Sequence, residues 1–176
     1  MSVLAVGRGG LRQLHQSLLQ HTPEQAIAIL QEAGYASGQE FYESFCAWLP
    51  GHTGVGVPGD LDAAHFPGAL SAFLQSSGWG AVTVTPIGGA ALALDSTDWA
   101  EAEPGTAAMP MCFFSAGMLA DFLGRVSAEP VAVMEVECRS RGDAHCRFLS
   151  ASQETLQQVY EAMTQGRTYA DALTGA

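Results

Sequence analysis

Hydrophobic and polar positions change their period partway along the chain, predicting helices first and strands later. Residues 11–20 alternate as a short amphipathic helix. Thr22-Pro23-Glu24-Gln25 then supplies a hydroxyl N-cap, a proline at the first helical position and a glutamine three residues after the cap. A helical period continues through Ile27, Leu30, Tyr35, Phe41, Phe45 and Trp48, interrupted by Gly34 and Gly38. The glycine- and proline-rich stretch 50–60 reads as loop, and 60–75 as a helix kinked near Pro67.

From residue 79 the period shortens to two. Residues 79–87 predict a strand, Gly88-Gly89 a turn and 90–94 its hairpin partner. A polar loop follows, and Pro110 opens a very apolar helix to about residue 126. Residues 131–140 and 144–149 predict a second hairpin, 153–164 a closing helix. The order gives an α+β fold: one antiparallel four-stranded sheet of two hairpins, packed against helices. At 176 residues the expectation is a single domain over 1–176, with 1–10 and 166–176 as flexible ends.

Composition narrows the function. Hydrophobic residues make up 48% and charged ones 14%, which excludes a disordered chain. The net charge is −11, and the seven basic residues are all arginines. Such a chain lacks the basic surface of a direct nucleic-acid binder and is repelled by anionic membrane surfaces. No apolar run suits a signal peptide or a membrane span. The expectation is a cytoplasmic protein, where thiols stay reduced.

That expectation gives weight to four residues near the C-terminus. Cys112, Glu135, Cys138 and Cys146 offer three thiols and a carboxylate, a donor set that suits a closed tetrahedral site for a thiophilic ion such as zinc. In an antiparallel hairpin, Cys138 and Cys146 share a face only across an odd-length loop. Their midpoint is Gly142, so a loop of Arg141-Gly142-Asp143 sets them directly opposite each other. Strict alternation puts Glu135 on the other face, so the site requires a bulge or a strong twist, with Glu137 as the alternative ligand. Cys112 falls in the first turn of its helix, where free backbone amides favour a thiolate. The competing reading is plain packing: free cysteine is among the most buried residue types, and the glutamates can pair with neighbouring arginines.

Glu135-Val-Glu-Cys138, followed by Gly-Asp-Ala-His-Cys146-Arg-Phe, resembles the signature of the 4-vinyl reductase domain. Gly34-Tyr35-Ala36-Ser37-Gly38 is similar to a glycine-tyrosine segment of that family. Cys112 to Gly117, with Phe122-Leu-Gly124-Arg125, resembles its central helix. The likeness is specific over about 112–148. It implies a fold like the TRAPP vesicle-tethering subunits, and structural zinc held by Cys112, Glu135, Cys138 and Cys146 beside a hydrophobic ligand cavity. It further implies a homodimer and a sensory role for an aromatic or other small hydrophobic molecule, with a histidine and a tryptophan holding a phenol hydroxyl. His65, Trp79 and Trp99 are the candidates for that contact. Output then passes through a protein partner. Two other roles fit the family: a tetrapyrrole accessory or carrier protein, and a purely structural interaction domain.

Catalysis is not expected. Gly54-Val-Gly56-Val-Pro-Gly59 fits G-x-G-x-x-G literally, yet it follows a helical stretch and contains a proline, unlike a dinucleotide-binding turn. No nucleophile–base constellation stands out.

Overall fold

In the computed structural model, which describes residues 6–175, four antiparallel strands lie between a larger and a smaller helical layer. The α+β expectation is met. Helix α1 spans Arg8–His21, α2 Pro23–Thr53, α3 Phe66–Ser76, α4 Phe113–Ser127, α5 Gln153–Thr164 and α6 Tyr169–Thr174. Strands β1 (Thr83–Ile87), β2 (Ala91–Ser96), β3 (Ala132–Glu137) and β4 (Cys146–Ala151) pair in the order β1-β2-β4-β3. Residues 1–5, expected as part of a flexible end, lie outside the described residues. No helix among the described residues is long and apolar enough to cross a membrane.

Gly34 and Gly38 do not interrupt α2. They share one face, and α4 crosses there at backbone contact. A Cβ at Gly34 would stand 2.0 Å from Phe114 O, one at Gly38 2.5 Å from Asp121 Cβ, and one at Gly117 2.1 Å from Gln31 O. The propensity cost of glycine is offset by the close helix–helix approach it permits.

Pro50 does not end α2 either. The helix carries it in its last turn and stops at Gly54, whose left-handed φ of 76° suits a C-cap. Thr53 Oγ1 donates to Leu49 O, and His52 Nδ1 lies 2.8 Å from Trp48 O, so side chains supply contacts in that turn. Thr22 occupies the N-cap position, but its hydroxyl donates backward to Leu18 O and caps nothing. Pro67 starts α3 without kinking it, because the first turn needs no donor there. The Gly54–Gly59 stretch leads into a 3-10 turn at Pro58–Asp60, not a strand-to-helix junction.

The sheet divides the core in two. One face carries Leu94, Cys138, Cys146 and Phe148 against Phe45, Phe73, Leu119 and Phe122 of α2, α3 and α4. The other carries Ala93, Val136 and Leu149 against Leu156 and Val159 of α5 and Leu173 of α6. The tail, expected as a flexible end, thus holds a short helix with Leu173 buried. Arg147 on β4 pairs twice with Asp95, at 2.7 and 2.6 Å, and donates to Tyr169 Oη at 2.6 Å. Tyr169 Oη in turn donates to Glu137, tying α6 to three strands.

Candidate metal centre

β3 and β4 pair from Ala132↔Ala151 through Glu135↔Phe148, and then the register slips to Glu137↔Arg147. The extra residue is Val136, a bulge of the kind the spacing demanded. Continued past Glu137, the shifted register sets Cys138 opposite Cys146. The bulge turns Val136 and Glu137 together towards α5 and α6, leaving Glu135 on the face of Cys138. Between the strands the chain makes a 3-10 turn at Arg139–Arg141 and reverses at Gly142, whose φ of 103° favours glycine. This connection is wider than the three-residue loop expected, with Asp143 accepting from the Cys138 N–H at 2.7 Å.

Cys112 arrives from the helical side as the N-cap of α4, one residue before the first turn. Its backbone N–H donates to Glu135 Oε2 at 2.9 Å, and its Sγ lies 3.9 Å from Cys138 Sγ. That separation is far beyond a disulfide bond, and all four cysteines of the chain are free. One ligand atom each from Cys112, Glu135, Cys138 and Cys146 fall within 4.8 Å of one another. The three thiols are almost wholly inaccessible.

The donor set fits a tetrahedral thiophilic ion. Metal–sulfur bonds of about 2.3 Å imply a sulfur–sulfur edge of about 3.8 Å, against the 3.9 Å found. Glu135 Oε1 is buried without a hydrogen-bond partner, an arrangement that costs free energy unless something takes the lone pairs. The charges point the same way. Hydrogen bonds from Cys112 and Cys146 hold the Cys138 thiol far below the usual range, while contact with Cys138 pushes the Cys112 thiol up. Burial, then the charge at Cys138, raises the Glu135 carboxyl to about 8. Four anionic donors share this volume fully ionised only around a cation. Glu137, the alternative ligand, faces the other way, towards Tyr169 and Arg147.

A second carboxylate, which the sequence did not single out, completes the end of α4. Glu101 accepts from the backbone N–H of Phe114 at 3.1 Å and of Ser115 at 2.7 Å, and from the Ser115 hydroxyl. Trp99 Nε1 donates to Ser115 Oγ at 2.8 Å. Burial raises the Glu101 carboxyl to about 7. Its one signal in the sequence was Trp99, a buried indole that needs an acceptor near it.

The three candidates for a ligand's hydroxyl separate. Trp79 and Trp99 come together, ring centroids 5.7 Å apart, with Trp79 stacked on Phe114 at 6.0 Å. His65 is exposed at the N-cap of α3, and neither tryptophan makes a ring contact with it. His145, a further possible ligand by sequence, turns to Glu137 at 3.2 Å.

Residues 100–150 match the 4-vinyl reductase domain family, a span that holds all four residues of the cluster and Glu101. No curated protein sequence matches the chain. The fold is similar to that of the phenol-responsive sensory domain of the transcription activator PoxR, solved with phenol. The TM-score is 0.61 at 18% identity, over 98% of this chain and 83% of that one.

Proposed function

We propose that this member of the 4-vinyl reductase domain family is a non-enzymatic sensor or adaptor for a small hydrophobic or aromatic molecule, stabilised by one zinc ion. The observation that carries the reading is the buried meeting of Cys112, Glu135, Cys138 and Cys146, with Glu135 Oε1 left unpartnered. With all four positions supplied by the protein, the ion has no open site for substrate, so its part is to clamp α4 to the β3–β4 hairpin. Metal affinity then becomes folding free energy.

The aromatic layer between α2, α3 and α4 is the natural place for an apolar ligand. Trp79, Trp99 and Phe114 sit at the start of α4, next to Cys112, so a molecule entering there would press on the clamped end of the helix. The fold shared with a phenol-responsive domain supports a sensory role. A second reading, a purely structural interaction domain, is favoured by the closeness of Phe41, Phe45, Phe73 and Phe122, whose rings pack directly on one another.

Elemental analysis of reduced protein purified without chelator should give about one zinc per chain. Titration with phenol should quench or shift the emission of Trp79 and Trp99. Metal-free protein would remove the zinc clamp; a full complement of zinc with no response to any phenol-sized molecule would favour the structural reading.

A further inference from the structure

We infer that the cleft beneath α1 is an oxyanion pocket, taking the carboxylate or phosphate group of a small ligand between Arg8, Arg12 and His15. These residues stand at i, i+4 and i+7, so they share one helix face. That face lies across residues 100–103, and the two segments line a cleft of about 70 Å³. The space suits an oxyanion group or a few waters, at about 30 Å³ per water, and is too small for an aromatic ring.

Donors outnumber acceptors there. A guanidinium carries five N–H groups. Among the described residues, Arg12 pairs through Nε with Glu103 at 2.7 Å, and Arg8 makes one long bond of 3.4 Å to Gly78 O. His15 is the one buried residue of α1, its side chain 9% exposed. Its Nε2 stands 3.2 Å from Glu101 Oε1 but has no hydrogen-bond partner. Glu101 is already engaged by Phe114 and Ser115, and Glu103 answers only one of the two arginines. Two of seven basic residues, in a chain of charge −11, therefore face one small cleft with most of their donors unused. An oxyanion supplies the missing acceptors, and the planar fork of arginine matches it in a bidentate way. The site lies apart from the thiol cluster.

The test is thermal unfolding of the full chain, metal-loaded, at pH 7 with sodium acetate or inorganic phosphate, each against chloride at equal ionic strength. A saturable rise in Tm is expected; a response to acetate alone assigns a carboxylate ligand, to phosphate alone a phosphate group. The double variant Arg8→Ala, Arg12→Ala changes two exposed side chains, with far-UV circular dichroism to check its fold and Arg8→Gln as a milder second variant. It should weaken the apparent Kd about tenfold or more, with zinc content unchanged. No response in the wild type, or an equal rise in wild type and variants (as a general salting effect gives), overturns the pocket and leaves the zinc reading standing.

Discussion

Cys138→Ala and Cys46→Ala remove the same sulfur from two environments, and the difference between them isolates the metal. Cys46 is half-buried on α2, Cys138 wholly buried between β3 and the helical layer. As mere packing, losing a methylene-sized group costs about 0.8 kcal/mol, rising to about 1.5 kcal/mol where a cavity remains. On that reading the variants differ by less than about 1 kcal/mol, roughly 2–4 °C in a domain of this size. As a ligand, Cys138 also carries the metal's contribution. With free zinc about a thousandfold above Kd, that amounts to about 4 kcal/mol, or roughly 8–16 °C. The assay is thermal unfolding by circular dichroism under reducing conditions, with and without excess chelator. Chelator should bring the wild type down towards Cys138→Ala and leave Cys138→Ala itself unmoved. Variants melting within about 3 °C of each other, or a wild type indifferent to chelator, would refute the assignment.

Gly117→Ala should destabilise by about 2 kcal/mol or more, because the new methyl meets the backbone of α2 at Gln31 O and neither helix can give way alone; denaturant midpoints check it, and a neutral result would mean the helices are not in backbone contact. Glu101 holds its proton more tightly folded than unfolded, from 4.5 to about 7. Its contribution is therefore present below pH 4.5 and lost as pH rises through about 7, a span worth about 3 kcal/mol at most. Glu101→Gln, compared with wild type pH by pH in urea melts, should flatten that slope. Arg147→Gln should release α6, seen as faster hydrogen exchange over residues 169–174 with little change in α2, because the guanidinium holds both Asp95 and Tyr169.

The sheet was legible because its signals are local. Period-two alternation and the Gly88-Gly89 turn placed one hairpin, and the parity of Cys138 and Cys146 about Gly142 fixed the other. The errors have a common cause in contacts distant along the chain. Gly34 and Gly38 looked like breaks until α4 came to rest against them, and Pro50 looked like a terminus although α2 runs through it. Glu101 was invisible for the same reason: its partners, the first amides of α4, lie thirteen and fourteen residues on, and no spacing rule connects them.

The cluster's geometry depends on the face of the sheet that holds no sulfur. A bulge opens only if both of its outward residues find a place, and here Val136 enters the smaller core while Glu137 takes the hydroxyl of Tyr169. Those contacts supply the reason for the register shift that brings Glu135 round to Cys138. Helix α6 therefore bears on the position of a carboxylate it never touches, through the one slip in the β3–β4 ladder. A tail read from sequence as a flexible end is, on this argument, part of what keeps four donors within reach of one ion.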